Sequence, residues 1–210
     1  MTPVKFSVAN QVIVDAFESL PEDQKSSNYW ADDTIAPIRA EIKDHYIADQ
    51  QYICVYCRRR IVTNNKSMWD AEHVISREKV PGFMFTPRNL AVSCRDCNIA
   101  KGTKEVRKTA GKKFPYKSSN YRIVHPHFDT YESHIRWIGE ICVPISDKGT
   151  VTIEVCGLTR FTAKFLGIDG VLVSPGFDRH VGDLLKAKDK LEAQAAIAAI
   201  AVYAESIPQG

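Results

Sequence analysis

The six cysteines form the first pattern in the sequence that suggests a specific chemistry. Four of them make two C-x-x-C pairs separated by 36 residues: Cys54, Cys57, Cys94 and Cys97. Four thiolates match the closed tetrahedral coordination of a structural zinc ion, whereas a redox site needs only one such pair, normally at the start of a helix. The spacing therefore predicts a structural zinc that stabilises a small module.

Residues suited to phosphodiester hydrolysis lie between and beside these pairs. The reaction needs an activated water, and positive charge beside the phosphoryl oxygens and the leaving group. His73 can act as a general base near neutral pH, and Glu72 and Asn98 offer the hard oxygen ligands that Mg²⁺ and Mn²⁺ prefer. Each has a structural alternative as well, because a histidine can bond a carbonyl, a glutamate can be a surface charge and an asparagine can cap a helix.

The order of these residues resembles the HNH endonuclease family, whose core is a ββα-metal fold. That family has a C-x-x-C pair, an acidic residue followed by histidine, Asn-Leu near the second pair, then histidine or asparagine and Lys-Gly. The chain supplies these in the same order: Glu72-His73, Asn89-Leu90, Asn98 and Lys101-Gly102.

The resemblance implies a role for each catalytic residue. Glu72 and Asn98 would hold one divalent ion, and His73 would activate water. Asn89 would hold the loop of the general base by hydrogen bonds. The last metal position is often histidine in the family, but a junction-resolving branch also has asparagine there. An amide oxygen favours Mg²⁺ or Mn²⁺ over Ni²⁺ or Zn²⁺. The family's products carry 5′-phosphate and 3′-hydroxyl ends.

Positive charge is concentrated around the cysteine pairs. The segment 54–122 holds 16 Lys or Arg and 5 Asp or Glu, although the whole chain has a net charge of only +3. A locally basic module is typical of a phosphate-binding surface, although a solvated basic face gives the same pattern. The expected nucleic-acid contacts, with DNA as the expected substrate, are Arg58, Arg59, Arg60, Arg77, Arg95, Lys101, Lys104 and Lys108.

The remaining pattern indicates an α+β fold in three regions: an N-terminal helical region at 1–50, the nuclease module at 51–120 and a C-terminal α/β region at 121–210. Apolar spacing predicts one helix over 9–20 and a second one capped by Asp33-Thr34. Residues 138–159 alternate and are rich in Val, Ile and Thr, which predicts a β-hairpin turning at Asp147-Lys148-Gly149. Residues 183–207 predict one long helix, apolar on most sides and therefore buried.

Two further features lie in the C-terminal region. His125, His127 and His134 stand close to Asp129 and Glu132, which suggests either a second metal site or, the interpretation we favour, a turn with satisfied histidines. Cys142 and Cys156, expected on opposite arms of the hairpin, are most simply buried thiols.

The downstream motifs loosely resemble HNH nucleases of bacterial anti-phage systems of the Septu and retron-associated kind. That resemblance implies a role in defence and an SMC-like ATPase as partner, with the C-terminal region recognising the partner or gating the nuclease.

The sequence thus predicts a cytoplasmic, metal-dependent endonuclease, since it contains no apolar run long enough to cross a membrane and no leader pattern. Two alternatives stay open. One is a zinc-dependent module that binds nucleic acid without cleaving it. The other is a nuclease subunit that is inert without an ATPase partner.

Overall fold

The structure is a computed structural model that describes residues 1–166 and 175–205. The chain divides into two compact units, residues 1–129 and residues 130–210. The first unit therefore contains both the N-terminal helical region and the cysteine module, and the second contains most of the C-terminal region. The mixture of helices with two small sheets confirms the predicted α+β class.

Two helices begin the first unit. Helix α1 (Val8–Glu18) and helix α2 (Ala36–Asp49) confirm the helices predicted from apolar spacing. The cap expected at Asp33-Thr34 is corrected, because Asp32 is the residue that accepts from the Thr34 backbone N–H, in the 3₁₀ turn that leads into α2. The buried face of α2 consists of the expected residues, Ile38, Ile42, Tyr46 and Ile47.

A hairpin and a short helix form the centre of the first unit. Strand β1 (Trp69–His73) pairs antiparallel with strand β2 (Leu90–Cys94), and Trp69 lies opposite Cys94. Helix α3 (Arg95–Lys101) follows β2 without a gap. The Gln50 amide ties the end of α2 to β2, because it accepts from the Val92 N–H at 2.8 Å and donates to the Val92 carbonyl at 2.9 Å. This strand–strand–helix order is the ββα core that the sequence predicted.

The second unit corrects the predicted hairpin at 138–159. Its hairpin lies earlier, between strand β3 (Ile135–Ile138) and strand β4 (Ile141–Pro144). Residues 147–149, expected as the turn, instead begin helix α4 (Asp147–Val155), because the Ser146 side chain accepts from the Gly149 N–H and caps the first turn. Helix α5 (Thr159–Leu166) follows. Cys142 on β4 and Cys156 after α4 are both buried, as expected, although they do not face each other across one hairpin.

The long helix expected at 183–207 is also corrected. Helix α6 (Pro175–Lys186) ends before it, and helix α7 (Lys190–Glu205) starts after a break. Side-chain capping starts α7 anew: Asp189 accepts from the Glu192 N–H at 2.8 Å, and Glu192 accepts from the Lys188 N–H at 2.7 Å. Residues 206 and 207 lie outside the described residues.

Helix α7 packs against α6 but leaves much of its apolar surface open. Ala196 is buried, whereas the side chains of Leu191, Ile197 and Val202 are more than half exposed. The expectation that this helix is buried is therefore wrong for the part of the chain that the structure describes. Within that part, no helix combines the length and the apolar character needed to cross a membrane.

Candidate active site and zinc site

The four cysteines of the two C-x-x-C pairs converge on one point. Their sulfurs all lie within 4.8 Å of one another, all four residues are buried, and none forms a disulfide. Cys57 Sγ and Cys94 Sγ are 3.8 Å apart, which is about the edge of a sulfur tetrahedron around zinc at about 2.3 Å. The donor set and its spacing fit zinc, as the sequence predicted.

Tight backbone turns hold the cysteines so that their sulfurs point towards one another. In the first pair, the Arg58 N–H donates to the Cys54 carbonyl and the Cys54 N–H to the Arg59 carbonyl, both at 3.0 Å. Arg58 takes a positive φ of 59° to close the turn, a conformation that costs energy for a residue with a side chain. The Cys94 N–H points at Cys54 Sγ at 3.3 Å. A backbone N–H directed at a sulfur favours the thiolate that binds zinc.

Strand β1 presents two carboxylates to helix α3. Asp70 and Glu72 are two residues apart and therefore share one face of the strand. Asn98 Nδ2 donates to Asp70 Oδ2 at 2.9 Å, and Lys101 Nζ lies 2.8 Å from Glu72 Oε1. The expected ligands Glu72 and Asn98 thus belong to two elements that face each other. Asp70 was not among the predicted site residues, although the two-residue period of a strand places it beside Glu72.

Glu72 lies inside the protein and not at its surface. Its side chain is 0% exposed, and Oε1 accepts from the Tyr56 hydroxyl at 2.8 Å as well as from Lys101. The second oxygen, Oε2, is buried and has no hydrogen-bond partner among the described residues. Such an orphaned acceptor is unfavourable unless something else binds it, and a divalent cation is a suitable occupant.

Lys101 does not occupy the surface position expected of a phosphate contact. Its side chain is 2% exposed, and Nζ donates to the His73 carbonyl at 2.9 Å in addition to its ion pair with Glu72. A buried lysine needs such partners, because an isolated charge in the protein interior is costly. In this structure Lys101 therefore contacts the Glu72 carboxylate and the His73 carbonyl inside the protein instead of facing solvent.

His73, the last residue of β1, is held in a defined orientation. Its Nε2 lies 3.1 Å from the Met84 carbonyl oxygen, which selects the tautomer with the proton on Nε2 and the lone pair on Nδ1. Trp30 contacts the ring edge-on, with centroids 4.5 Å apart, and His73 is only 4% exposed. Burial, together with the nearby charges of Arg77 and Lys101, lowers the pKa of His73 to about 3. The imidazole is therefore neutral near pH 7, as a general base must be.

Asn89 connects both sides of the loop that follows His73. Its Oδ1 accepts from the Ile75 N–H at 2.8 Å, and its Nδ2 donates to the Ile75 and Phe83 carbonyls at 3.0 and 3.1 Å. Ile75 lies two residues after His73, and Phe83 precedes the Met84 carbonyl that orients the imidazole. One buried amide thus fixes the segment that leaves the histidine and the segment that orients it.

The other expected nucleic-acid contacts differ in exposure. Arg59 and Arg77 are half-buried, and Arg77 lies over the Trp30 ring at 5.8 Å. The other expected contacts, Arg58, Arg60, Arg95, Lys104 and Lys108, are exposed. Their contact with phosphate stays a prediction.

The histidines after the module form a turn. His127 Nε2 lies 2.8 Å from the Leu90 carbonyl, and the His125 N–H donates to Asp129 at 2.7 Å. His134 belongs to the second unit, where Nδ1 lies 2.7 Å from the Ser146 hydroxyl. Among the described residues, the four-cysteine cluster is the only group of three or more His, Cys, Asp or Glu side chains placed to hold a metal ion. His125 and His127 thus lie in a turn, but His127 Nδ1 is buried without a hydrogen-bond partner among the described residues, so the histidines are not all satisfied as expected.

Two further residues at the site were missed by the sequence analysis. Tyr56 lies inside the first C-x-x-C pair, where only the cysteines attracted attention, and its hydroxyl reaches Glu72. Trp30 lies far from the module in sequence, so its contact with His73 depends on packing that no local pattern shows.

Comparison with known proteins supports the same segment. The sequence model of the HNH endonuclease family matches residues 54–104, which contain both cysteine pairs, β1, β2 and α3. The chain is also 33% identical over 108 residues to the Septu protein PtuB of Bacillus thuringiensis. That match covers 51% of this chain but only 37% of the relative's length. Both resemblances predicted from the sequence are therefore confirmed.

Proposed function

We propose that this chain is a metal-dependent endonuclease that hydrolyses phosphodiester bonds in DNA at the HNH segment, residues 54–104. The observation that carries the proposal is the buried, unpartnered Oε2 of Glu72 beside a neutral, oriented His73. A module that only binds nucleic acid needs neither feature, and a buried acceptor without a partner is costly.

In this proposal Glu72 and Asn98 hold one Mg²⁺ or Mn²⁺ ion. When bound, the ion supplies positive charge for the phosphoryl oxygen and the leaving oxygen. Lys101 and Tyr56 fix Glu72 Oε1, which leaves Oε2 as the ligand atom. The residues that would hold the ion thus come from one strand and the helix that faces it.

His73 acts as the general base. Its Nε2–H donates to the Met84 carbonyl, so Nδ1 accepts a proton from the attacking water. Asn89 keeps this orientation by bonding the chain on both sides of the loop. The zinc held by Cys54, Cys57, Cys94 and Cys97 has a separate, structural job, since four thiolates leave no open coordination position.

Cleavage of supercoiled plasmid by purified protein tests this proposal. We expect nicking with Mg²⁺ or Mn²⁺, none with EDTA, and a loss of at least about 100-fold in His73→Ala, the usual scale of a general base. His45→Ala serves as the matched control, because His45 lies on α2 and bonds the Thr2 carbonyl. Zinc-loaded protein that binds DNA but never cuts it, even with its partner present, would support the binding-module alternative. A single-stranded RNA substrate run beside the plasmid distinguishes DNA from RNA preference.

We further propose that the nuclease is an effector of anti-phage defence, gated by an ATPase partner of the SMC-like class. The match to a Septu protein supports the defence role, and the burial of His73 under Trp30 supports the gating, because the base has little open surface in the chain alone. A cytoplasmic location follows from this role and stays a prediction.

The gating proposal predicts low nicking by the chain alone and stimulation when an ATPase encoded beside its gene is added. Trp30→Ala should raise the partner-independent rate. Full activity of the wild-type chain alone, harmless in cells, would contradict gating while leaving the nuclease proposal intact.

A further inference from the structure

Asp70 contacts Asn98, one of the proposed metal ligands, but has no role in the proposed metal site as described above. It lies on β1, two residues before Glu72 and on the same face, and its Oδ2 accepts a hydrogen bond from Asn98 Nδ2 at 2.9 Å. Asp70 and Asn98 are both half-exposed, whereas Glu72 is fully buried. The pair therefore lies on the more open side of the candidate site.

Chemistry fixes the direction of this hydrogen bond. An ionised carboxylate only accepts hydrogen bonds, so the amide of Asn98 must turn its NH₂ group towards Asp70. The amide oxygen, Oδ1, is then directed away from Asp70 and left for another partner. A cation binds the amide oxygen and not the NH₂ group, so this orientation is the one that a metal ligand requires.

We propose that Asp70 is a positioning residue that holds the Asn98 amide with Oδ1 ready to bind the divalent ion. This inference rests on the proposed function, because it assigns Asn98 to the same metal site. Partners of this kind, which bond a ligand and not the metal itself, typically change metal affinity by about 10- to 100-fold when removed.

Charge gives a second reason to expect a carboxylate at this position. The ammonium of Lys101 lies 2.8 Å from Glu72 and balances its charge. Asp70 is then the unbalanced negative charge on this face of β1, and it favours a cation between the strand and α3. Orientation and charge make different predictions once Asn98 is replaced by a carboxylate.

Mn²⁺ binding to zinc-loaded protein, measured by the electron paramagnetic resonance signal of free Mn²⁺, tests the proposal without relying on activity. Asp70→Ala should weaken Mn²⁺ binding about tenfold or more. In an Asn98→Asp background either oxygen of residue 98 can bind the ion, so no orientation is needed. There Asp70→Ala should lower Mn²⁺ affinity only slightly, because the attraction of its charge for the cation is all that is lost. Asp96→Ala on the exposed surface of α3 is the control for charge loss near the site.

Each outcome decides the matter. A tenfold loss in the Asn98 background that disappears in the Asn98→Asp background supports positioning. An equal loss in both backgrounds, or no loss in the first, overturns it. Thermal unfolding and zinc content identify variants that fail to fold. If Asp70→Ala only damaged the fold, adding Asn98→Asp would not restore Mn²⁺ binding, whereas the proposal predicts that it does. If neither the wild-type protein nor Glu72→Gln binds Mn²⁺, the proposed metal site itself is wrong, and this inference is wrong with it.

Discussion

The Asn89 amide fixes the loop whose Met84 carbonyl orients the imidazole of His73. It uses three hydrogen bonds to hold Ile75 and Phe83, and it is completely buried. The Met84 carbonyl that orients His73 follows Phe83 directly, so a shift in this loop changes which imidazole nitrogen faces the water.

Asn89→Ala should therefore reduce cleavage more than it reduces stability. We expect a free energy of unfolding lower by about 1–3 kcal/mol, because two carbonyls and one N–H lose their buried partner. Plasmid nicking should fall by at least about tenfold, and zinc should be retained, since the cysteines are untouched. Asn120→Ala, at an exposed position, should change neither quantity. A variant with wild-type nicking would show that Asn89 does not position the base.

Site residues that belong to one local sequence motif could be predicted. Residues that reach the site only through packing between distant parts of the chain were missed. Glu72, His73 and Asn98 were predicted as site residues because their order beside the cysteine pairs resembles a family motif. Trp30 could not be found, because its contact with His73 requires the N-terminal region to fold onto the module. Lys101 was expected at the surface because a lysine usually is there, but the buried carboxylate of Glu72 provides the partner that allows its burial.

Among the elements, helix α4 is the clearest departure from expectation. Its sequence is rich in Val, Ile and Thr, which usually favours strands, yet the Ser146 cap and the close approach of Gly149 to the His134 backbone select a helix. The break before α7, by contrast, carries a signal that the prediction of one long helix overlooked, because Asp189 followed three residues later by Glu192 is typical of a helix start.

Gly149→Ala tests the packing of α4. A Cβ at this position would overlap the His134 carbonyl oxygen, so helix and backbone must separate. We expect a loss of about 1–3 kcal/mol in the free energy of unfolding, the usual cost of overpacking. Gly182→Ala in α6 is the matched control, because nothing lies within 4 Å of its added Cβ and alanine favours a helix by about 1 kcal/mol. Equal stabilities of the two variants in urea would contradict the packing described here.

Helix α3 depends on the zinc site, because Cys97 lies within it and Cys94 directly precedes it. Cys97→Ala should abolish stoichiometric zinc binding and lower the midpoint of thermal unfolding, since a buried four-thiolate site contributes folding free energy. Cys142→Ala, another buried thiol outside the cluster, should keep about one zinc per chain. Retention of zinc by Cys97→Ala in elemental analysis would contradict the assignment.

The molecule as a whole should lose stability in mild acid. Burial is the main cause that lowers the pKa of His127, and the pKa of His73 falls to about 3. An unfolded histidine titrates near 6.5, so above that pH neither state carries the proton. As the pH falls below about 6.5, the unfolded state takes up protons first, and stability is lost by up to about 1.4 kcal/mol per pH unit for each histidine.

Urea unfolding at pH 7.5 and pH 5.5 checks this expectation. His127→Gln should reduce the loss of stability between the two values, because the buried histidine is gone. Zinc content measured at both pH values separates this effect from protonation of the cysteines. An unchanged pH dependence in His127→Gln would contradict the prediction.

The division of charge and structure along the chain was only partly predictable. The basic segment and the zinc module were evident from composition and spacing, and both lie in the first compact unit. The exposed apolar surface of α7 was not, because its sequence alone indicates burial and does not show whether this chain supplies the covering surface.

The central claim is that one chain uses two kinds of metal for two jobs, and one measurement tests it most directly. Purified protein is treated briefly with EDTA, dialysed, assayed for zinc and then tested for plasmid nicking before and after Mg²⁺ is added. We expect about one zinc per chain to remain, no nicking before the addition, and restoration by Mg²⁺ of the low nicking that the chain shows without a partner. Nicking that follows the zinc content and ignores Mg²⁺ would contradict the account.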